Sequence, residues 1–103
     1  NSVMAIYPPT FVKTQVLGLI LGLSNELYAL AECESGFNTE AIGKAGEIGL
    51  FQYLPYTWNW FNEIRGTDLD IYNPDHQRDM TEWAWQNNLE SHWTCAKIVG
   101  IIK

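Results

Sequence analysis

The chain reads as mainly α, of the α+β kind: a compact helical domain with one short β-like hairpin segment. Three observations predict this. Apolar residues recur at intervals of three and four through residues 12–23, 27–34, 58–64 and 80–84. Residues suited to helix ends bracket those runs, with Thr10, Ser24, Pro55 and Asn73-Pro74 at the starts and Gly22, Gly36 and Gly66 at the stops. Between residues 36 and 53, by contrast, Gly43, Gly46 and Gly49 break any helical period.

Each element follows in order. Residues 1–9 form an irregular arm ending at Pro8-Pro9. A helix is predicted from Thr10 as N-cap to about Gly22, with Val12, Val16, Leu19, Ile20 and Leu23 at helical spacing. Ser24 caps the next helix, Glu26 sits in its first turn, and Gly36 stops it. Glu47 to Tyr53 is predicted as a short strand or hairpin. Pro55 opens a helix carrying Trp58, Phe61 and Ile64, with Trp58 on its inner face, closed by Gly66. Residues 66–73 are loop. Asn73-Pro74 starts a helix reaching about Asn88, with Met80, Trp83 and Ala84 inward. Residues 90–103 hold a last short helix or an extended end. There is no internal repeat and no linker, so residues 1–103 are expected to form a single domain.

Twelve Asp+Glu stand against six Lys+Arg, a net charge of −6 with no basic patch. That excludes binding to nucleic acid by phosphate neutralisation and disfavours adhesion to an anionic surface by charge alone. An anionic polymer would have to be recognised by shape and hydrogen bonds. The longest apolar run, Val16 to Leu23, is too short to span a bilayer. Lys13 to Ala31 imitates a signal peptide, but that reading would discard the segment carrying Glu34; a targeting signal is expected outside these residues. Five Trp and five Tyr suit either a filled core or a sugar-stacking cleft. Cys33 and Cys95 permit one disulfide, worth roughly 3–4 kcal/mol through loop closure, or two buried thiols.

Glu34 stands out. Positions 27, 30, 31 and 34 share one helix face, so a carboxylate lies on the apolar side, in the last turn and near the negative end of the helix dipole. Burial and dipole would both raise its pKa, which suits a general acid that keeps its proton near neutral pH. The alternative is a solvated carboxylate at a frayed helix end. Glu32 falls off that face and is expected in solvent.

Glu34-Ser35-Gly36-Phe37-Asn38, followed by Ala41 and then Gly49-Leu50-Phe51-Gln52, resembles the ordered motif pair of soluble lytic transglycosylases in the lysozyme-like superfamily. Cys33 directly before Glu34, and Trp93-Thr94-Cys95 near the C-terminus, are similar to the resuscitation-promoting factors, compact relatives in that superfamily. Thr57-Trp58 and Gln77 also fall where those relatives carry such residues. The resemblance covers residues 24–96. It implies a Cys33–Cys95 disulfide and an extracytoplasmic protein, secreted, periplasmic, wall-associated or phage-borne. The late Ala-Tyr-Asn motif of the transglycosylases has no match in Trp83-Ala84-Trp85-Gln86-Asn87. Gln77, Trp85 and Asn87 are the candidates for its sugar contact.

The resemblance implies cleavage of the β-1,4 bond between N-acetylmuramic acid and N-acetylglucosamine in peptidoglycan. Glu34 would be acid and then base, giving a 1,6-anhydro product without a second carboxylate. A muramidase would need one. Glu47 is the only acidic residue close to the second motif and is expected more as a turn residue on the surface than as that group; Asp68 and Asp70 are expected in solvent. A silent glycan-binding module is the third possibility. Ser35 belongs to the first motif and is a candidate substrate contact. Gln52 is expected to position an N-acetyl group or Glu34. Trp58 is assigned to the core, Tyr53 and Trp60 to sugar stacking. His76, His92 and the cysteines lack a zinc-ligand spacing; His92 is expected packed or at the surface, and no metal or cofactor is implied. A monomer is expected, with the possibility of a longer multidomain or phage-associated chain.

Overall fold

The computed structural model describes residues 24–100; the arm at 1–9 and the helix expected over 10–22 lie outside them. Among the described residues there are four α-helices and no sheet: α1 (Asn25–Ser35), α2 (Pro55–Arg65), α3 (Pro74–Gln86) and α4 (Thr94–Ile98), with a 3-10 turn at Glu90–His92 before α4. The mainly α class is as expected. No helix among the described residues is long and apolar enough to cross a membrane.

The helix ends follow local chemistry. Ser24 accepts the Leu27 N–H through its hydroxyl at 3.3 Å, and Gly36 closes α1 in the left-handed conformation. Pro55 occupies the first turn of α2, where a missing N–H leaves no bond unmade. Asn73 Oδ1 accepts from Asp75 and His76, satisfying two of the free donors of α3. α3 ends at Gln86, two residues short of the expected Asn88. The tail resolves into the 3-10 turn and the short α4, rather than an extended end.

Leu27, Leu30 and Ala31 of α1, Trp58 and Phe61 of α2, and Met80 and Ala84 of α3 meet Leu50, Phe51, Trp93, Cys95 and Ala96 in one core. The buried stripe of α2 runs through Trp58, Phe61 and Asn62, which leaves Ile64 exposed. Trp83 packs only partly buried against the core, its ring meeting Phe61. Polar bonds sew the loops to this core. Trp58 Nε1 and Asn62 Nδ2 both donate to the Leu69 carbonyl, at 2.8 and 3.0 Å, fixing the loop after α2. The Cys33–Cys95 disulfide joins α1 to α4, with Cα atoms 5.9 Å apart.

The glycine-rich excursion is a stack of tight turns held by two isolated antiparallel bridges, Ile42 to Ile48 and Ile48 to Tyr53. Ile48 and Tyr53 exchange both backbone hydrogen bonds, at 2.9 and 3.0 Å. The expected strand or hairpin over 47–53 is thus reduced to single pairings. The glycines keep the chain turning before a ladder can extend.

Candidate active site

The face of α1 predicted from spacing is the face that is buried. Leu27, Leu30 and Ala31 are 3%, 0% and 0% exposed, and Glu34, one turn on, is 2% exposed. Glu34 does not fray into solvent. It lines a cavity of about 240 Å³, together with Glu47, Gln52, Tyr53, Leu54, Thr57, His92, Trp93 and Thr94. The floor is buried and bears both carboxylates; the rim, with Leu54, His92 and Thr94, is exposed.

Glu47 corrects the expectation of a surface turn residue. It is 3% exposed and turned into the cavity. The cause is the turn at residues 43–47: Gly43 N–H donates to the Glu47 carbonyl at 2.8 Å, and Ala45 N–H donates to Glu47 Oε1 at 2.9 Å, which draws the side chain inward. Gly43 leaves the space this requires. A Cβ there would run into the Glu47 carboxylate and come within 2.7 Å of Gln52 Oε1.

Gln52 is held by the same turns. Its Nε2 donates to the carbonyls of Ala41 and Gly49, at 3.1 and 2.9 Å. Its backbone has φ 53°, a left-handed conformation unusual for a residue with a side chain. Strain of this kind persists only where the surroundings hold it, and here the two amide bonds do so. They leave Oε1 beside Glu47 and Gly43.

Other expected contacts lie elsewhere. Ser35 is fully buried behind the cavity, its hydroxyl bonded to the carbonyls of Ala31 and Leu50. Gln77 is 1% exposed and supports the excursion from below: it accepts the Phe51 N–H and donates to Ile48 and Ile71. Gly49, at φ +83°, sits against this amide so closely that a Cβ would collide with it. Neither Ser35 nor Gln77 is among the lining residues. Trp85 is partly buried against Trp93 and donates to Glu26, away from the cavity. Asn87 is exposed at the end of α3 and donates to the Trp83 carbonyl. Trp60 does not line the cavity either, but it packs against His92, which does.

Tyr53 borders the cavity yet presents no face for stacking. Its ring is wedged edge-on among Trp58, Phe61 and Trp93, and its hydroxyl meets Thr81 Oγ1 at 2.8 Å. Burial pushes its phenol well above the ordinary value of 10.0, outweighing the Thr81 hydrogen bond and the Arg65 charge, which act the other way. Trp93 is likewise positioned from behind, its Nε1 donating to the Phe51 carbonyl at 2.9 Å.

Leu54, Thr57, His92, Trp93 and Thr94 complete the walls without having been expected there. The signal for the last two was present in Trp93-Thr94-Cys95, since Cys95 is tied to the residue before Glu34. Asp68 and Asp70 are exposed, as is Glu32. No cluster of three or more His, Cys, Asp or Glu side chains fit to hold a metal occurs among the described residues.

What the floor offers is a buried glutamate fixed on a helix, with a second glutamate and an amide from the turns lining the same cavity. That is equipment for moving a proton to and from an uncharged oxygen. Comparison with known proteins gives the same direction. No curated protein and no solved structure matches the chain, but the family model described as the transglycosylase SLT domain matches residues 22–92. That span takes in α1, the excursion and the 3-10 turn, and with them most of the cavity wall: the chain belongs to the transglycosylase SLT domain family.

Proposed function

We propose that the chain is a peptidoglycan lytic transglycosylase that cleaves the β-1,4 bond between N-acetylmuramic acid and N-acetylglucosamine, with Glu34 as its single acid and base. The observation that carries this reading is Glu34, 2% exposed, at the floor of the cavity and on the helix the family model spans. Glu34 gives its proton to the glycosidic oxygen as the bond to the muramyl C1 breaks. It then takes the proton of the muramyl 6-hydroxyl as that oxygen closes on C1. The product is a 1,6-anhydro sugar and no water is consumed. Gln52, anchored through its amide nitrogen, orients the substrate beside Glu34. Such work belongs outside the cytoplasm, where the glycan lies and where the Cys33–Cys95 disulfide is stable.

Glu47 favours a second reading, a muramidase. It is buried and lines the same cavity as Glu34, where it is available to activate water or stabilise the sugar cation. Mass analysis of the released muropeptides separates the two: an anhydro product is lighter by one water. Replacing Glu34 with Gln is expected to lower the rate by about 10³-fold, within the range for a lost acid–base group, while glycan binding is retained. A parent protein that binds glycan but releases no product identifies a silent module instead.

A further inference from the structure

The side of the cavity formed by Trp93 and Thr94 ends a stretch of chain with little to hold it. Between Ala84 and Trp93 no residue is fully buried. Trp93 itself is buried, and its side chain is placed by its neighbours. Its Nε1 donates to the Phe51 carbonyl at 2.9 Å, and Tyr53 meets its ring edge-on at 5.2 Å. Trp85 of α3 also lies against it, at 5.2 Å and inclined by 59°. Phe51 and Tyr53 are core residues, but Trp85 is only partly buried and is not among the residues lining the cavity. Its own Nε1 donates to Glu26 Oε1 at 3.0 Å, across a sequence separation of 59. Glu26 sits in the first turn of α1, the helix that carries Glu34 in its last turn.

We propose that Trp85 is a positioning residue for the cleavage step: its ring braces Trp93, and its N–H ties that brace to the helix of Glu34. This rests on the glycan-cleaving function proposed above and adds to it a residue that acts from outside the cavity. The segment bearing Trp93 is joined to α1 at two places. One is the Cys33–Cys95 disulfide, beside Glu34. The other runs from Trp93 through Trp85 to Glu26. Cys33 stands about two turns after Glu26 on α1, roughly 10 Å along the helix axis. A single tie would leave the segment free to turn about it. Two ties this far apart fix its direction relative to α1. Trp93 and Glu34 line the same cavity, so the brace holds two of its sides in register. An error of an ångström between such sides is enough to slow the reaction of a group bound between them. The contribution of Trp85 is thus one of placement: its ring is replaceable by another ring, and Glu26 by another acceptor.

The test is steady-state turnover of purified glycan strands by the full chain and its variants, with kcat expressed per folded molecule from urea unfolding. Trp85→Ala is expected to lower kcat and kcat/KM together by about tenfold with KM unchanged, the pattern of a displaced group at the reacting centre. Trp85→Phe keeps a ring against Trp93 and is expected to recover most of that loss. Glu26 is exposed, so its variants test the tie without disturbing the core. Glu26→Leu is expected to lower kcat about threefold, as for an exposed hydrogen bond, and Glu26→Gln, which keeps an acceptor oxygen, to recover it. Parental kcat in folded Trp85→Ala, or a loss that Trp85→Phe does not recover, overturns the positioning role and leaves the proposed function standing. If Trp85→Ala does not fold, the Glu26 pair decides, and equal kcat in Glu26→Leu and Glu26→Gln overturns the role. A parent chain that turns over no glycan overturns the proposed function and the positioning role with it.

Discussion

Gln77 Oε1 accepts the backbone N–H of Phe51 at 2.9 Å, across a sequence separation of 26 residues. The same side chain donates through Nε2 to the carbonyls of Ile48 and Ile71, at 2.9 and 2.7 Å. One amide on α3 thus pins the turns whose other side presents Glu47 and Gln52 to the cavity. Gln77 touches none of the cavity, yet it sets the height of its floor.

Gln77→Leu keeps the volume and removes every one of these bonds. A buried polar group left without a partner costs about 1–3 kcal/mol; the Phe51 N–H and the Ile71 carbonyl lose theirs, while the Ile48 carbonyl keeps the Tyr53 N–H. The variant is expected to lose roughly 2–4 kcal/mol in urea unfolding, since the two losses share one site and do not add fully. A loss under 1 kcal/mol would mean that water replaces the amide.

The helices were legible because their signals are local. Ser24, Pro55 and Asn73-Pro74 act within one turn of themselves, and each stands at the helix start it marked. The inward face of Glu34 was legible because its three companions lie on the same helix. Gln77, Ser35 and Tyr53 were harder. A glutamine or tyrosine serves equally as a ligand contact or as a buried strut, and the choice depends on partners such as Phe51, Leu50 and Thr81, 15 to 28 residues away. Glu47 was misjudged for a related reason. In the turns from Gly43 to Gly49 no period assigns a face, and its direction is decided by the N–H of Ala45. His92 gains its place from α2, through Trp60 and Phe61.

Cys33 and Cys95 lie beside Glu34 and Thr94 in sequence, and both of those neighbours line the cavity. Across a sequence separation of 62, the bridge is expected to contribute about 4 kcal/mol by restricting the unfolded chain. Replacing both cysteines with Ala should lower the guanidinium midpoint accordingly, and reductant should do the same to the parent but nothing further to the variant. Reduction that leaves the midpoint unchanged would contradict this.

Tyr53 makes alkaline stability predictable in sign. Thr81 already gives its proton to the Gln77 carbonyl at 2.7 Å, so Tyr53 is the donor in their hydroxyl pair. Its native pKa lies above the ordinary value of 10.0 because burial disfavours the phenolate. The contribution of this group is fully present below pH 10.0. Above it the unfolded chain releases a proton that the native state retains, and stability falls by about 1.4 kcal/mol per pH unit. Tyr53→Phe should lose about 1 kcal/mol at neutral pH and show a shallower alkaline decline than the parent. Parallel declines in the two proteins would show that Tyr53 ionises while folded.

Gly43 separates stability from chemistry. A methyl there meets the Glu47 carboxylate and Gln52 Oε1, and both side chains are buried and anchored, to Ala45 and to Ala41 and Gly49. To admit it, one of the two must leave its hydrogen bonds and turn within the cavity. Gly66 is the control: at φ +77° an alanine is strained, but nothing lies near its Cβ and the cavity is elsewhere. Gly66→Ala should therefore lose about 1 kcal/mol of stability, the penalty of a left-handed alanine, with unchanged turnover of purified glycan strands. Gly43→Ala should lower kcat/KM at least tenfold, because displacing a positioning group by an ångström is enough to do so. Full activity in Gly43→Ala would mean that neither Glu47 nor Gln52 has to hold its present position for the bond to break.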